Sequence, residues 1–382
     1  MKQGRSLAEL GRELIRQEGA KRDFLADANA MRVVSNGHTD LVLRDSFQVN
    51  DIGHQQISQY LDIPKAHYDR LRSAANDLRI DLQDDRTPAG KVTSPLFDVV
   101  VNELLKSKGD DKRMVRTLDG GVRAFLSDSF NPDLDNLGVI RSASRAIEQA
   151  GLGPENVASC EVTERRLYLK VLSPKLEAVI EPGNLTLPHG RHHMLKEPQV
   201  VQAGFILTNS ETGLGSLSIQ QVVYKLMCTN LWVMEEGYRQ RHVGRALQST
   251  DDGHVYRSDT RIAEAEVKLM KIRDHIADAL NETRFKSLVG KMQETTEIPL
   301  EGSVEKIMEV TARKFGLSIP EKDETLKNLV AGGDLSLWGL SNAVTATAQT
   351  VENYDRATEL EAAGGRFFGL DKREIREIVS AA

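Results

Sequence analysis

Arg166, Tyr168 and Lys170, in the stretch RRLYLKVL, have the types and spacing of a polyanion contact. On a β-strand they share one face, about 7 Å apart, while Leu167, Leu169 and Val171 share the other. Cation, aromatic ring and cation in a row suit a single-stranded nucleic acid, with phosphates on the cations and a base on the ring. An ordinary solvated strand face has the same alternation, and both readings stand at this point. Downstream, GYRQRHVGRALQ carries Arg239, Arg241 and Arg245 with His242 and no acidic residue. Guanidinium forks fit phosphate oxygens; an acidic helix of a neighbouring subunit would use the same residues.

LPHGRHHMLKEP gathers Arg191, His192, His193 and Lys196 with His189 in one polar loop. Three histidines in five residues invite a metal reading, but adjacent histidines in a polar loop rarely converge on one ion, so no metal is expected. A basic lip that touches an anion and a merely solvated loop both remain. There is no P-loop, no dinucleotide fingerprint after a strand, and no G-x-S-x-G or H-E-x-x-H. TGLGS is followed by a strand, so it offers no helix N-terminus to a phosphate. Cys228 ends an apolar run and reads as a small buried hydrophobe. No cofactor is expected, and an enzyme is the least supported class.

These residues sit in a chain of 382, long enough for two or three domains. A net charge of -6 gives no global pull towards nucleic acid, so a polyanion site must be a local patch. Aromatics at 5% exclude a surface paved with stacking rings. Two cysteines, Cys160 and Cys228, suit reduced thiols better than a disulfide scaffold. The charged N-terminal stretch reads as neither signal peptide nor anchor, and no window approaches a membrane span. A cytoplasmic protein is expected.

The elements that must position these residues follow from periodicity. The first 30 residues read as amphipathic helix, with Leu7, Leu10, Leu14 and Ile15 at helical spacing. Short strands follow in MRVVSN and TDLVLRDSFQVN. IGHQQISQYLDIPKAHYDRLRSAANDL predicts two helices about a turn, with Pro64 opening the second. That pair is either a duplex-reading helix-turn-helix, offering Lys65, His67, Arg70 and Arg72, or a plain hairpin packed on a core. LQDDRTPAGKVTSP reads as loop and LFDVVVNELLKSKG as helix. A hairpin is expected around Asp119-Gly120-Gly121, then a helix ended by Gly151, then strands to Glu235. From Val222 that last run is apolar on both faces, as in a core strand, and the polar turn Asn209 to Ser216 is its only candidate contact. The C-terminal part is helical, with one long helix over LSLWGLSNAVTATAQTVENYDRATELEAAGG stopped by Gly364-Gly365. The expected fold is α+β, a central antiparallel sheet with packed helices. Its expected parts are a mainly helical region 1–112, an antiparallel core 113–235 and a helical region 236–382.

Four stretches in order, LDIPKAHYDRL, RAFLSDSFNPDLDN, LTNSETGLGSLSIQQVVYKLMCTNLWV and LSLWGLSNAVTATAQ, resemble the phage/plasmid-like proteins grouped under domain of unknown function number nine hundred and thirty-two. The likeness runs from about residue 20 to residue 350. One departure is Leu231, where the family usually has glycine after Cys-Thr-Asn, which removes the family's reason for a tight turn there. The resemblance implies a mobile-element setting among replication and recombination functions. The order of elements is also similar to the core of single-strand annealing proteins of the Red-beta class. The expectation is a non-enzymatic, ATP-independent, homo-oligomeric protein that binds and anneals single-stranded DNA through Arg166, Tyr168 and Lys170, with Arg239, Arg241 and Arg245 beside them and Arg191, His192, His193 and Lys196 as a lip. The rivals are a duplex-DNA regulator using residues 53–75 and a factor that binds a host protein.

Overall fold

The computed structural model describes residues 1–83, 91–186, 192–194, 197–242 and 258–381. Helix α1 (Leu7–Ala20) opens with a capping box, Ser6 accepting from the Glu9 N–H while the Glu9 carboxylate accepts from the Ser6 N–H. It buries Leu10 and Leu14 and stops at Ala20. The expected helix over the first 30 residues is therefore too long, because Arg22–Asp27 is strand β1, paired antiparallel with residues 112–117. Strands β2 (Arg32–Ser35), β3 (Thr39–Val42) and β4 (Ser46–Val49) follow, then helices α2 (Asp51–Tyr60) and α3 (Lys65–Ser73). A short ribbon, β5 (Arg79–Gln83) and β6 (Lys91–Pro95), occupies part of the expected loop, and α4 (Leu96–Ser107) follows. The hairpin β7 (Lys112–Leu118) and β8 (Gly121–Ser127) turns on Asp119 and Gly120, both at positive φ (52° and 80°), as a primed two-residue turn requires.

The first sheet has the order β1-β7-β8-β4-β3-β2, antiparallel except where β4 meets β8. Helices α2, α3 and α4 cover one face, burying Ile57, Tyr68, Phe97 and Val101 on Val33, Leu41, Val115 and Phe125. The His54 Nδ1 lies 3.0 Å from the Tyr68 hydroxyl, and burial pushes that imidazole down to about 3. The boundary expected at residue 113 fails here. Strands β7 and β8 pair with β1 and β4, so residues 22–49 and 112–127 form one sheet and the region 1–112 is not a separate helical part.

Beyond α5 (Asn136–Gln149) come β9 (Val157–Val162) and β10 (Leu167–Ile180), a small ribbon of β11 (Asn184–Thr186) and β12 (His192–Met194), and then β13 (Gln199–Asn209), β14 (Leu217–Lys225) and β15 (Leu231–Gln240). The second sheet runs β15-β14-β13-β10-β9, wholly antiparallel. Strand β15 passes through 236, so the second expected boundary also cuts a strand. The turn from β14 to β15 is tight despite Leu231: the Lys225 N–H donates to the Asn230 carbonyl and Thr229 takes φ 54° in place of a glycine. Cys160 is buried and Cys228, expected inside, is exposed on this turn; both are free.

Helices cover both faces of the second sheet. α1, α5 and α6 (Ser258–Ala279) enclose Leu169, Phe205 and Leu207 on one side. The rest of the chain is α7 (Glu282–Thr296), α8 (Val304–Phe315), α9 (Ile319–Gly332), α10 (Leu337–Thr350), α11 (Tyr354–Arg366) and α12 (Lys372–Val379). Trp232 stacks on Trp338 of α10 on the other side, 4.9 Å between ring centroids. Val222 and Val223 are fully buried, as their two apolar faces predict. The single long C-terminal helix is two helices, because Asn353 caps α11 by accepting from the Arg356 N–H. Gly364 and Gly365 lie inside α11, where a Cβ would collide with Thr345 and with the Val233 carbonyl. They let the helix approach the sheet instead of ending it. The architecture is α+β with helical ends. No helix among the described residues is long and apolar enough to cross a membrane.

Candidate polyanion-binding cleft

Strand β10 does not carry an open basic face. Tyr168 and Lys170 lie under α11: the Tyr168 hydroxyl donates to Asp355 Oδ1 at 2.6 Å and Lys170 Nζ donates to Glu361 Oε2 at 2.6 Å. Lys170 and Glu361 are both 0% exposed, and the ammonium sits 4.8 Å from the centre of the Tyr354 ring. Burial and the Asp355 carboxylate push the Tyr168 phenol pKa upwards. Arg166, half-buried before the strand, donates to the Leu214 carbonyl at 2.9 Å. The expected nucleic-acid track of Arg166, Tyr168 and Lys170 is thus corrected. The face read as solvated is an interior face, and the polar side chains along it are matched by acids on a helix remote in sequence.

The basic residues that stay open lie elsewhere. A cleft of about 940 Å³ runs between the two sheets, walled by α2, by the β7–β8 hairpin, by the turn Gly213–Ser216 and by the end of β15. Arg239, opposite Ser218 in the ladder, and Arg241 just past the strand end both line it. Both are exposed, and neither forms an ion pair among the described residues. Arg113 of β7 joins them from the other sheet. Its guanidinium lies 4.5 Å from the Tyr60 ring centre and 5.2 Å from that of Phe125, and its Nε is buried without a hydrogen-bond partner among the described residues. Burial lowers the Arg113 pKa, opposed by Tyr60, Asp111 and Asp128. At an arginine's pKa this leaves the charge in place, over the two rings and with Asp111 and Asp128 near enough to act on it.

His242 plays a different part from the arginines beside it. Its ring stacks on Phe130 at 5.0 Å and 3°, and its Nε2 is 2.8 Å from Asn209 Oδ1. Asn209 Nδ2 donates to the Leu134 carbonyl and to Asn136 Oδ1, so Asn209 Oδ1 can only accept. His242 Nε2 must therefore carry the proton, which leaves Nδ1 bare, and Nδ1 is buried without a partner among the described residues. Burial lowers the imidazole pKa, so the ring is neutral at pH 7 and adds no charge to the cleft. It pins the end of β15: the His242 carbonyl accepts from the Asn131 N–H after β8.

A buried charge cluster ties the first sheet to the start of α5 and to the turn that follows β13. Arg116, 0% exposed, donates to Asp23 on β1 and to Asp135 before α5 at 2.7–3.0 Å. The ladder skips Arg123, a bulge that re-aims its side chain, and Arg123 meets Glu211 at 3.1 Å. Glu211 also accepts from the Asn136 N–H at 2.7 Å, and Lys21 pairs with Asp135. Desolvation and Asp135 raise the Glu211 pKa, against Lys21, Arg123 and Arg116. Glu18, Asp135 and Glu211 bring carboxylate oxygens within 4.8 Å of one another, but these three cations already compensate them, which leaves a metal no role. The turn 209–216, read as a contact site, is chiefly this joint: Asn209, Ser210 and Thr212 are fully buried. Only its tip lines the cleft, where Gly213 (φ 71°) presses so close to Leu126 that a Cβ would stand 2.8 Å from a methyl carbon.

His192 and His193 lie on β12, paired with Thr186 and Leu185 in a ribbon separate from both large sheets. Arg191, Lys196 and Arg245 fall outside the described residues. Of the residues expected at the site, the structure brings together Arg239 and Arg241 and adds Arg113, Tyr60 and Phe130. Arg113 opens a hairpin whose pattern looks like plain sheet, and Tyr60 reads as a core residue of α2, so only the fold joins them to β15. No family model, no curated protein and no solved structure matches the chain.

Proposed function

We propose that the chain binds single-stranded nucleic acid in the cleft between its two sheets, and that the binding serves strand annealing in replication or recombination of a mobile element. The observation that carries this reading is the convergence of Arg113, Arg239 and Arg241 on one open cleft, the last two with no carboxylate partner among the described residues. Unpaired guanidinium groups are arranged for phosphate oxygens. The part-exposed Tyr60 ring and the Ser127, Ser129 and Ser216 hydroxyls supply the stacking and hydrogen bonding that single strands use. The cleft is a seam between sheets walled mainly by strands and turns, which suits a single strand better than insertion of a reading helix into a duplex groove. Annealing needs positioning of two strands and no bond cleavage, which fits a site built of cations, amides and rings. The four-stretch resemblance to phage/plasmid-like proteins supports the setting.

The test is fluorescence anisotropy of one labelled oligonucleotide, single-stranded and as a duplex, from low to moderate salt. Salt-sensitive binding that favours the single strand is the expected result. Equal lack of binding to both forms at low salt overturns it.

A further inference from the structure

A smaller, partly open pocket of about 270 Å³ also borders β15, between that strand, α7 and the turn that follows α11. Met234, Leu288 and Phe368 give it an apolar wall. Lys291 and Arg366 line the same space, and neither forms an ion pair among the described residues. Arg366 has only a 3.5 Å contact with the Phe315 carbonyl and a ring contact with Phe315. Arg284, also on the rim, is already committed to Asp278, with Glu236 at 3.8 Å.

The telling residue is Gln221 of β14. It stands in the wall shared by this cavity and a neighbouring one of about 350 Å³, is 93% buried (7% exposed), and its amide Nε2 has no hydrogen-bond partner among the described residues. A buried amide left unpaired is destabilising, and chains rarely keep one without a use for it. Rotation about its last torsion presents either end of the amide to the cavity. A ligand acceptor there would remove the penalty.

We propose that this cavity binds a compact organic carboxylate. The carboxylate lies between Lys291 and Arg366, the apolar body lies on Met234, Leu288 and Phe368, and a second acceptor on the ligand meets the Gln221 amide. Glu235 and Glu236 on the rim select a single negative charge over the double charge of a phosphate monoester. The volume falls just below the usual range for small-molecule pockets, about 300–1,000 Å³, so the ligand is smaller than a nucleotide. The site stands or falls independently of nucleic-acid binding in the cleft.

Matched acids and amides test it: benzoate with benzamide, and hexanoate with hexanamide, titrated into the full-length chain at pH 7 and followed by ligand-observed NMR. At least one acid binds about tenfold more tightly than its amide. Lys291→Gln, an exposed change that leaves folding intact by circular dichroism, weakens that acid about tenfold and leaves the amide unchanged. Arg366→Gln does the same, and because it also gives up its packing on the Phe315 ring, Lys291→Gln is the deciding variant. Acid and amide binding alike, neither binding, or acid binding untouched by Lys291→Gln overturns the proposal.

Discussion

Lys170 and the Arg239–Arg241 pair are cations of the same five-stranded sheet, and they have opposite fates. Lys170 is sealed beneath α11 against Glu361, whose second oxygen, Oε1, has no partner among the described residues. Arg239 near the end of the edge strand β15 and Arg241 just past it lie beyond the part that α11 covers, and meet no carboxylate among the described residues. What separates them is the covering helix and the acid it brings. A buried cation with one acid is a structural element whose net contribution is small but whose disruption is costly. An exposed cation with none is free for a ligand's charge.

The largest effect tests the buried half of that contrast. Lys170→Met leaves the Glu361 carboxylate buried without its ion-pair partner and costs about 3–5 kcal/mol. Lys170→Met combined with Glu361→Leu restores most of this stability, because two well-packed apolar side chains replace the pair. Urea unfolding midpoints at constant slope measure both. A Lys170→Met chain as stable as the parent but impaired in oligonucleotide binding would return Lys170 to the binding surface and break the contrast.

The exposed half predicts the reverse pattern. Arg239→Gln with Arg241→Gln changes stability by no more than about 0.5 kcal/mol, since neither guanidinium is paired among the described residues or packed in the core. In oligonucleotide binding the double variant loses affinity. The slope of log K against log salt falls by about 1.4, or about 0.7 for each phosphate of a single strand that is no longer neutralised. Anisotropy titrations at four salt concentrations read the slope directly. An unchanged slope would remove both arginines from any phosphate contact.

Why the sequence led to Arg239 and Arg241 but misled at Tyr168 and Lys170 follows from what each reading required. The segment around Arg239 lacks acids, and local charge of that kind is visible in one dimension. The alternation in β10 gave the correct strand and the correct faces. It could not show that both faces are covered, because Asp355 and Glu361 lie almost two hundred residues away. The α1, α2–α3 and β7–β8 elements were legible from apolar spacing, Pro64 and Asp119-Gly120, although α1 stops at Ala20, short of the 30 residues expected. The six-stranded sheet was not, since its strands come from two segments some sixty residues apart. Gly364-Gly365 carried a helix-stop signal that close packing against Val233 and Thr345 overrides. The cleft itself arises where the two sheets meet, so Arg113 and Tyr60 had no signal that periodicity or composition can give.

The smallest effect concerns the helical pair α2–α3, which has the outline of a duplex-reading unit. Two cations of its second helix are already paired, Lys65 with Asp69 and Arg72 at 3.6 Å from both Asp51 and Asp69, while Arg70 is exposed and has no ion pair among the described residues. Tyr68, midway along it, is fully buried against Phe97 in a T-shaped contact and holds His54. A helix tied down on its inner face, with two of its three Lys and Arg side chains paired on the outer one, is chiefly a packing element with solvated ion pairs. Such pairs contribute about 0–1 kcal/mol each. Lys65→Gln with Arg72→Gln therefore shifts the unfolding midpoint by the equivalent of about 1 kcal/mol or less, and leaves single-strand affinity and its salt slope unchanged. Duplex affinity measured in the same titration supplies the counter-test: were the double variant to lose duplex binding selectively while Arg239→Gln with Arg241→Gln kept it, the recognition surface would be α3 and the unpaired arginines of β15 would be bystanders.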